Sequence, residues 1–361
     1  MSVSDRIRDL LWMFKRSRRA HVLAVVAVIL AVAGVLGFLA WDREGNENLT
    51  IRNGDENPNR FVEGRRSLDG LVVPEGEQSP MPVVVMLDNL AVDSVRPQAG
   101  LVKASVIYEA LAEGGVTRLM PVFPAGVQVS EIGPIRSARP YFVQIAREYN
   151  GLFFHVGGSP RAQEDLRSAE DLVNIDELNL GHPYFRRDPK RSAPHNLTTN
   201  HTLIQYAIRD HGAPSSVAID AWKFAEEEGK ADVADHVLSI DFSTTSYKVE
   251  WKYDRALNAF RRFNGGALIK DRGSDEEVLA KNIIVQFVAT SVADGNRLEI
   301  DLVGEGGALV FQNGVMVNAT WKKPTDDSRT RFFSEESEEI VLNPGQTWVE
   351  LLPVDGRVVY E

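Results

Sequence analysis

The pattern of hydrophobic and polar positions changes several times along the chain. An uninterrupted apolar stretch, VLAVVAVILAVAGVLGFLAW, occupies Val22–Trp41, and residues 42–70 are polar and rich in Asn, Gly, Asp, Glu and Arg. Short apolar runs then mix with helical patterns as far as residue 214, and alternating apolar and polar positions dominate from residue 238 onward. These changes predict segments of different structure.

The apolar stretch predicts a membrane span. Val22–Trp41 contains no charged residue, and a helix of that length crosses roughly 30 Å of hydrocarbon. Six basic and two acidic residues precede it, so the positive-inside rule makes residues 1–21 a cytoplasmic basic tail and places the bulk of the chain outside the cell. A cleaved signal peptide is the alternative, but its apolar core would be shorter. We therefore predict a single-pass signal anchor in the cell membrane.

The segments after the span predict a tether followed by two domains. Residues 42–70 contain too few apolar positions to fold and are interpreted as a flexible linker. Residues 71–214 predict an α/β domain with a mixed sheet, because strand and helix patterns alternate. The strands are expected at 82–87, 105–112, 116–123 and 152–156, and the helices at 140–149, 159–169 and 200–211.

The second half of the chain predicts a smaller, β-rich domain over residues 238–361. It follows a polar, helix-leaning connection over residues 215–237. Clean alternation and regular turns indicate short strands near residues 247–253, 282–288, 297–303, 308–311, 314–321 and 348–352.

Composition and charge exclude several kinds of chemistry. The 361 residues include no cysteine, which excludes disulfides, thiol nucleophiles, Cys-ligated zinc and a lipid-modified N-terminal cysteine. The formal net charge is −11, and it becomes −15 from Asp42 onward, with 34 basic and 49 acidic residues. This balance argues against a nucleic-acid partner. An anionic ligand would need a local basic site.

The segment Arg136-Ser137-Ala138-Arg139 is the strongest candidate for such a site. It precedes a helix predicted to begin at Pro140, and a helix N-terminus with two arginines suits phosphate or carboxylate groups. Pairing of the arginines with neighbouring carboxylates is the alternative, and both roles are compatible. The predicted ligand-binding residues are Arg96, Arg118, Arg136, Ser137, Arg139, His195 and Asn196.

Four residues are candidates for acid–base catalysis: Asp88, Glu109, Glu113 and His155. Glu109 and Glu113 are expected on one strand, where a spacing of four residues separates them by about 13 Å. A pairing of His155 with Asp88, or of His195 with a glutamate, would support hydrolysis. Ion pairing with the arginines is the alternative, so the sequence leaves open whether the protein is an enzyme.

No metal or cofactor is predicted. The histidines His155, His182 and His195 lack tight ligand spacing, and the nucleotide-binding, metalloprotease and G-x-S-x-G motifs are absent.

Several long motifs resemble the YerB family of bacterial envelope lipoproteins. They include VVVMLDN, ASVIYEALAEGGVTRLMPVF, IGPIRSARPYFVQIAREYNGLFFHVGGSP and RDPKRSAPHNLTTNH, followed in the second domain by SYKVEWKYD, LVGEGGALVFQNG and PGQTWVELLP. The resemblance covers roughly residues 70–355 and implies an exported protein with two domains of unknown function. Two departures stand out: the lipidated cysteine is missing, and Ala267–Asp271 replaces a turn that contains histidine in the family.

The sequence as a whole predicts a bacterial envelope protein anchored through Val22–Trp41. Its expected ligand is an anionic component such as a peptidoglycan fragment or a lipid-linked phosphate. A cell-wall glycan or peptide hydrolase or lyase is the alternative function. The second domain is a candidate docking surface for an envelope protein partner.

Overall fold

The computed structural model describes residues 64–181, 183–227, 236–293, 295 and 297–361. The predicted cytoplasmic tail, the membrane span and residues 42–63 of the predicted linker lie outside the described residues. Within the described ranges, no helix is both long and apolar enough to cross a membrane. The end of the predicted linker, from Gly64 to Gly70, is folded, since Leu68 and Asp69 are buried.

The first half of the described chain alternates strands with helices, as its pattern predicts. The strands are β1 (Pro82–Val85), β2 (Leu87–Asp88), β3 (Val106–Leu111), β4 (Thr117–Pro124), β5 (Leu152–His155), β6 (Val173–Asp176), β7 (Arg186–Arg187) and β8 (Leu197–Thr198). The helices are α1 (Pro140–Arg147), α2 (Pro160–Ser168), α3 (Glu177–Leu180) and α4 (His201–Asp210). Short 3₁₀ turns span Leu101–Lys103 and Glu113–Gly115.

Local chemistry explains where these elements begin and turn. Ser159 caps α2 by accepting a hydrogen bond from the Ala162 amide at 3.3 Å, and Asn200 caps α4 through the Leu203 amide at 3.0 Å. The β3–β4 hairpin turns at Gly114, whose φ of 66° lies in the left-handed region that glycine adopts readily. The strands predicted at 105–112 and 116–123 and the predicted helix starts are therefore confirmed.

The second half of the described chain consists of strands and turns. The strands are β9 (Lys223–Phe224), β10 (Val237–Asp241), β11 (Lys248–Asp254), β12 (Ala259–Asn264), β13 (Ala267–Leu268), β14 (Leu279–Ala280), β15 (Asn282–Val292), β16 (Leu298–Asp301), β17 (Gly304–Gln312), β18 (Val315–Lys323), β19 (Arg331–Phe333), β20 (Val341–Leu342), β21 (Thr347–Pro353) and β22 (Arg357–Tyr360). A 3₁₀ turn spans Thr245–Tyr247. The connection predicted to lean towards helix contains no helix in its described residues and contributes β9 instead.

One mixed sheet runs through both halves of the chain. Its order is β19-β18-β17-β15-β21-β3-β4-β1-β5-β6, with β16 paired to β15 and β2 paired to β4. Strand β21 lies parallel to both β15 and β3, so it joins the two halves by main-chain hydrogen bonds. A second sheet has the order β13-β12-β11-β10-β22, with β14 paired to β12.

The large sheet has a buried layer on each face. One face, including Tyr108 and Met120, packs against α1 and α2. The other face, including Ile107 and Trp348, packs against α4 and the second sheet, which contributes Trp251. Alternate residues of each central strand therefore point into different cores. This explains why β3 reads as a nearly continuous apolar run.

A buried ion network joins the two sheets. Arg262 on β12 is 1% exposed and binds Glu350 on β21 at 2.9 Å and Glu109 on β3 at a short distance. Its guanidinium lies over the rings of Trp348 and Trp251, at 4.1 and 5.0 Å from their centroids. The Arg262 side chain therefore joins three strands that are distant in the sequence: β3, β12 and β21.

Replacing Arg262 by leucine is expected to lower the free energy of unfolding by about 3–5 kcal/mol, because the buried carboxylate of Glu109 loses its counterion and Glu350 loses a hydrogen-bond donor. Urea unfolding at pH 7 measures this loss.

Arg261 provides the matched control on the same strand. It pairs with Asp254 and Glu277 at the surface, where its side chain is 32% exposed. Arg261→Leu should cost less than about 1 kcal/mol. Equal losses in the two variants would contradict the structural role given to Arg262.

Candidate functional site

Six of the predicted residues meet where β2 pairs with the start of β4, at the edge formed by the ends of the central strands of the large sheet. Asp88 lies opposite Arg118 in the β2–β4 register. The segment before α1 crosses this edge, since the Arg136 amide donates to the Met86 carbonyl at 2.9 Å. We call these residues the rim cluster: Asp88, Glu113, Arg118, Arg136, Arg139 and His195.

Asp88 organises one half of the rim cluster. Its Oδ2 lies 2.7 Å from Nδ1 of His195 and 3.2 Å from Nε of Arg136. Its Oδ1 accepts from the Leu90 amide at 3.0 Å. The histidine therefore pairs with Asp88, and the predicted pairings of His155 with Asp88 and of His195 with a glutamate are wrong.

Glu113 organises the other half. It binds Nε of Arg139 closely and Nη2 of Arg118 at 3.4 Å, and Arg118 also donates to the Ser137 carbonyl at 2.5 Å. Burial raises the pKa of Glu113, but the hydrogen bond and charge of Arg139 outweigh it, so the pKa lies below its ordinary value. Glu113 is therefore ionised at neutral pH.

The rim cluster carries more positive than negative charge. Three arginines face two carboxylates, and protonation of His195 would add a further charge. Burial, with repulsion from Arg139, lowers the pKa of Arg118 to about 10, which leaves it charged at neutral pH. The rim cluster is therefore positively charged, although the chain as a whole is acidic.

Two side chains of the rim cluster have nitrogen atoms left over. Arg136 is 28% exposed and uses only Nε on Asp88, and His195 is 16% exposed and uses only Nδ1. Among the described residues, the Arg136 Nη atoms and His195 Nε2 make no hydrogen bond or ion pair. These atoms are available to a ligand.

Asn89 connects the rim to the buried network behind it. Its Nδ2 donates to Thr117 Oγ1 at 2.7 Å and to Glu109 Oε1 at 3.2 Å, while its Oδ1 accepts from Gln98 at 2.7 Å. The sequence assigned no role to Asn89, Gln98 or Thr117, although they lie in segments rich in candidate residues, and it assigned none to Arg262 or Glu350. The available signal in the sequence was the single glutamate within each of two apolar strands, at positions 109 and 350.

Arg96 does not face the rim cluster. Its Nε donates to Asn89 Oδ1 and its Nη2 to the Asn89 carbonyl, both at 2.9 Å. Its Nη1 donates to the Ser246 carbonyl at 2.7 Å, and its guanidinium lies 4.9 Å from the Tyr247 ring centroid. It therefore links the first half of the chain to the second.

Three other candidates have structural contacts. His155 is fully buried, with Nδ1 at 2.8 Å from the Gly157 carbonyl and Nε2 at 2.7 Å from Asn174. Asn196 accepts from Arg187 at 2.9 Å within its own loop. Ser137 contributes its carbonyl to Arg118.

Glu109 and Glu113 do not share a strand face as predicted. Glu113 lies in the 3₁₀ turn beyond the end of β3, whereas Glu109 points to Arg262 between the sheets. The backbone turns before Glu113, so the two carboxylates belong to separate networks. This arrangement does not provide a catalytic carboxylate pair.

Glu350 lies beside Glu109 in the β21–β3 register. Burial raises the pKa of Glu350 to about 8; the charge of Arg262 opposes this and that of Glu109 adds to it. Glu109 accepts three hydrogen bonds, whereas Oε2 of Glu350 has no partner among the described residues. The proton is therefore placed on Glu350.

Within the described ranges, no group of three or more His, Asp or Glu side chains is arranged to hold a metal ion. His182 lies outside the described residues.

The fold and these contacts define a protein of two domains that share one sheet. The chain matches the family models "Protein of unknown function (DUF3048) N-terminal domain" over residues 68–214 and the corresponding C-terminal domain over residues 238–349. It therefore belongs to the YerB-like family, whose two domains have no assigned function.

One relative by sequence and one solved structure are similar to the chain over most of its length. The protein named "Putative lipoprotein YerB" from Bacillus subtilis (strain 168) is 29% identical over 309 residues, which cover 83% of this chain and 89% of the relative. The crystal structure of YerB protein from Bacillus subtilis is similar with a TM-score of 0.73 and 28% identity, covering 82% of this chain and 99% of that chain.

The protonation of Glu350 predicts a pH-dependent stability. In the unfolded chain its pKa returns to about 4.3, so between that pH and about 8 only the folded protein holds the proton. The free energy of unfolding should fall as pH rises through this window, by at most about 1.4 kcal/mol per pH unit. Glu350→Gln should reduce this slope when urea unfolding is measured at pH 5, 6.5 and 8.

The exposed Glu305 on β17 serves as the control, since Glu305→Gln should leave the slope unchanged. An unaltered slope in Glu350→Gln would show that this carboxyl does not carry the proton.

Proposed function

We propose that this protein is an envelope-associated protein that binds an anionic group at the rim cluster. The similarity to a relative named as a lipoprotein supports the envelope location. The apolar segment Val22–Trp41 supports a single-pass anchor in place of a lipidated cysteine, with residues 1–21 in the cytoplasm.

The observation that carries the proposal is the pair of unused Arg136 Nη donors beside Asp88. Arg136 and His195 are both oriented by that buried carboxylate, and both leave nitrogen atoms at the partly exposed surface. Charge-assisted hydrogen bonds from a fixed guanidinium suit carboxylate and phosphate oxygens. A buried carboxylate such as Asp88 keeps a binding arginine in position even when no ligand is bound.

The formal charge of −15 from Asp42 onward restricts the kind of anionic ligand that the rim cluster can bind. A long anionic polymer would be repelled over much of its length, whereas a single carboxylate or phosphate meets only the local positive charge. A peptidoglycan fragment or a lipid-linked phosphate fits this requirement.

Replacing Arg136 by alanine should weaken binding of soluble muramyl peptides or of a polyprenyl phosphate about 10- to 100-fold, because a hydrogen bond between charged groups is lost. Calorimetric titration of the full chain in nanodiscs measures the affinity for each probe.

Arg209 provides the control because it is exposed and pairs only with neighbouring acidic and aromatic side chains. Arg209→Ala should bind like the parent protein. An Arg136→Ala variant with unchanged affinity for both probes would refute binding at the rim cluster.

A hydrolase or lyase acting on cell-wall glycan or peptide is a second candidate function. The observation that favours it is the 2.7 Å contact between Asp88 and His195 Nδ1, which orients Nε2 as a general base. Glu109 and His155 are fully buried, so this candidate depends on the histidine–aspartate pair rather than on them.

The catalytic candidate predicts that the parent protein releases soluble products from purified peptidoglycan. His195→Gln should lower that rate by about 10²- to 10⁴-fold with the fold intact, because general base catalysis is lost. His201→Gln is the matched control, since His201 binds the Val127 carbonyl at the start of α4. Absence of any product from the parent protein would leave binding as the function.

A further inference from the structure

A cleft of about 490 Å³ lies between the two halves of the chain, away from the rim cluster. One wall is the loop from Ala91 to Pro97, and the other is formed by β13 and the turn that precedes it. Its volume is within the range of small-molecule sites. Apolar lining comes from Val92, Pro97, Leu268 and Ile269.

Asn264 lines this cleft with a buried amide group that lacks a partner. Its Oδ1 accepts from Arg262 Nε at 3.0 Å. Because guanidinium nitrogen can only donate, the atom facing Arg262 must be the oxygen, and the position of Nδ2 is fixed. Among the described residues Nδ2 has no acceptor, which is unfavourable for a buried polar group.

Arg96 brings a fixed positive charge to the same cleft. Its guanidinium has five N–H groups, of which three bind Asn89 and Ser246. Two N–H groups therefore remain for a ligand, and the stack on the Tyr247 ring holds the plane in place.

The charges at the cleft mouth restrict the ligand to one anionic group. Asp93 and Asp275 are exposed lining residues, and Lys270 pairs with Asp275 at 3.1 Å. Outer carboxylates would repel a second anionic group and would accept hydrogen bonds from amides. A single carboxylate at the inner end with an aliphatic body meets all these conditions.

We propose that this cleft binds the C-terminal carboxylate of a short peptide with an aliphatic side chain. Arg96 and Asn264 receive the carboxylate oxygens, and Val92, Pro97, Leu268 and Ile269 contact the side chain. The site goes beyond the proposed function, because no lining residue belongs to the rim cluster.

Calorimetric titration of the full chain in nanodiscs with N-acetyl-alanyl-leucine and its C-terminal amide tests the proposal. The free acid should bind at least about tenfold more tightly than the amide, since a charge-assisted pair is replaced by neutral contacts. Asn264→Asp keeps an acceptor for Arg262 but repels the ligand carboxylate, and it should weaken binding of the acid at least about tenfold.

Leu268→Trp provides an independent test, because it fills the cleft without changing Arg262 or its partners, and it should abolish binding. If Asn264→Asp fails to fold by circular dichroism, Leu268→Trp decides the outcome. Asn318→Asp, at an exposed position on β18, is the control and should bind like the parent.

Equal affinity for acid and amide would overturn the proposal, as would full binding by the folded variants. So would the absence of saturable binding up to about 10 mM, which corresponds to a free energy too small for a specific site. Titration in the Arg136→Ala background should give the same preference for acid over amide, so failure here is distinct from failure of the rim cluster.

Discussion

The interaction on which the rest of the structure depends is the burial of Arg262 between Glu109 and Glu350. Burying three ionisable groups is costly unless each finds a partner, and the two adjacent glutamates exceed the single arginine by one charge. The proton on Glu350 removes that excess. Any relative shift of the two sheets would separate the partners, so this network specifies how the second sheet lies on the first.

The rim cluster depends on that network through Asn89. Glu109 accepts from Arg262 on one side and from Asn89 on the other, and Asn89 in turn holds Gln98 and Arg96. Next to Asn89 in the chain, Asp88 orients Arg136 and His195. A core interaction and a surface site are thus linked by the hydrogen bonds of Asn89 and Asp88, which are neighbours in the chain. The same alternation of strand residues that builds the cores places these polar groups between the layers.

The sequence predictions were correct for features that neighbouring residues decide and wrong for contacts between residues far apart in the chain. The hairpin over residues 105–123 and the start of α2 at Pro160 are confirmed because turn and capping residues act within a few positions. The expected pairing of His195 was wrong because Asp88 is 107 residues away along the chain. Glu109 was a candidate acid, but only the approach of β12, 153 residues later, revealed its buried partner.

The sequence by itself determined the apolar segment Val22–Trp41, the change from mixed to strand-rich patterning, the absence of cysteine and the family membership, since each depends on composition or on neighbouring residues. Only the tertiary structure decided that β21 joins both halves in one sheet, which carboxylate faces which arginine, and that a cleft forms beside Asn264. A sequence does not show which arginine pairs with which carboxylate. Their partners are selected by sheet register and by desolvation, which arise when distant strands pack together.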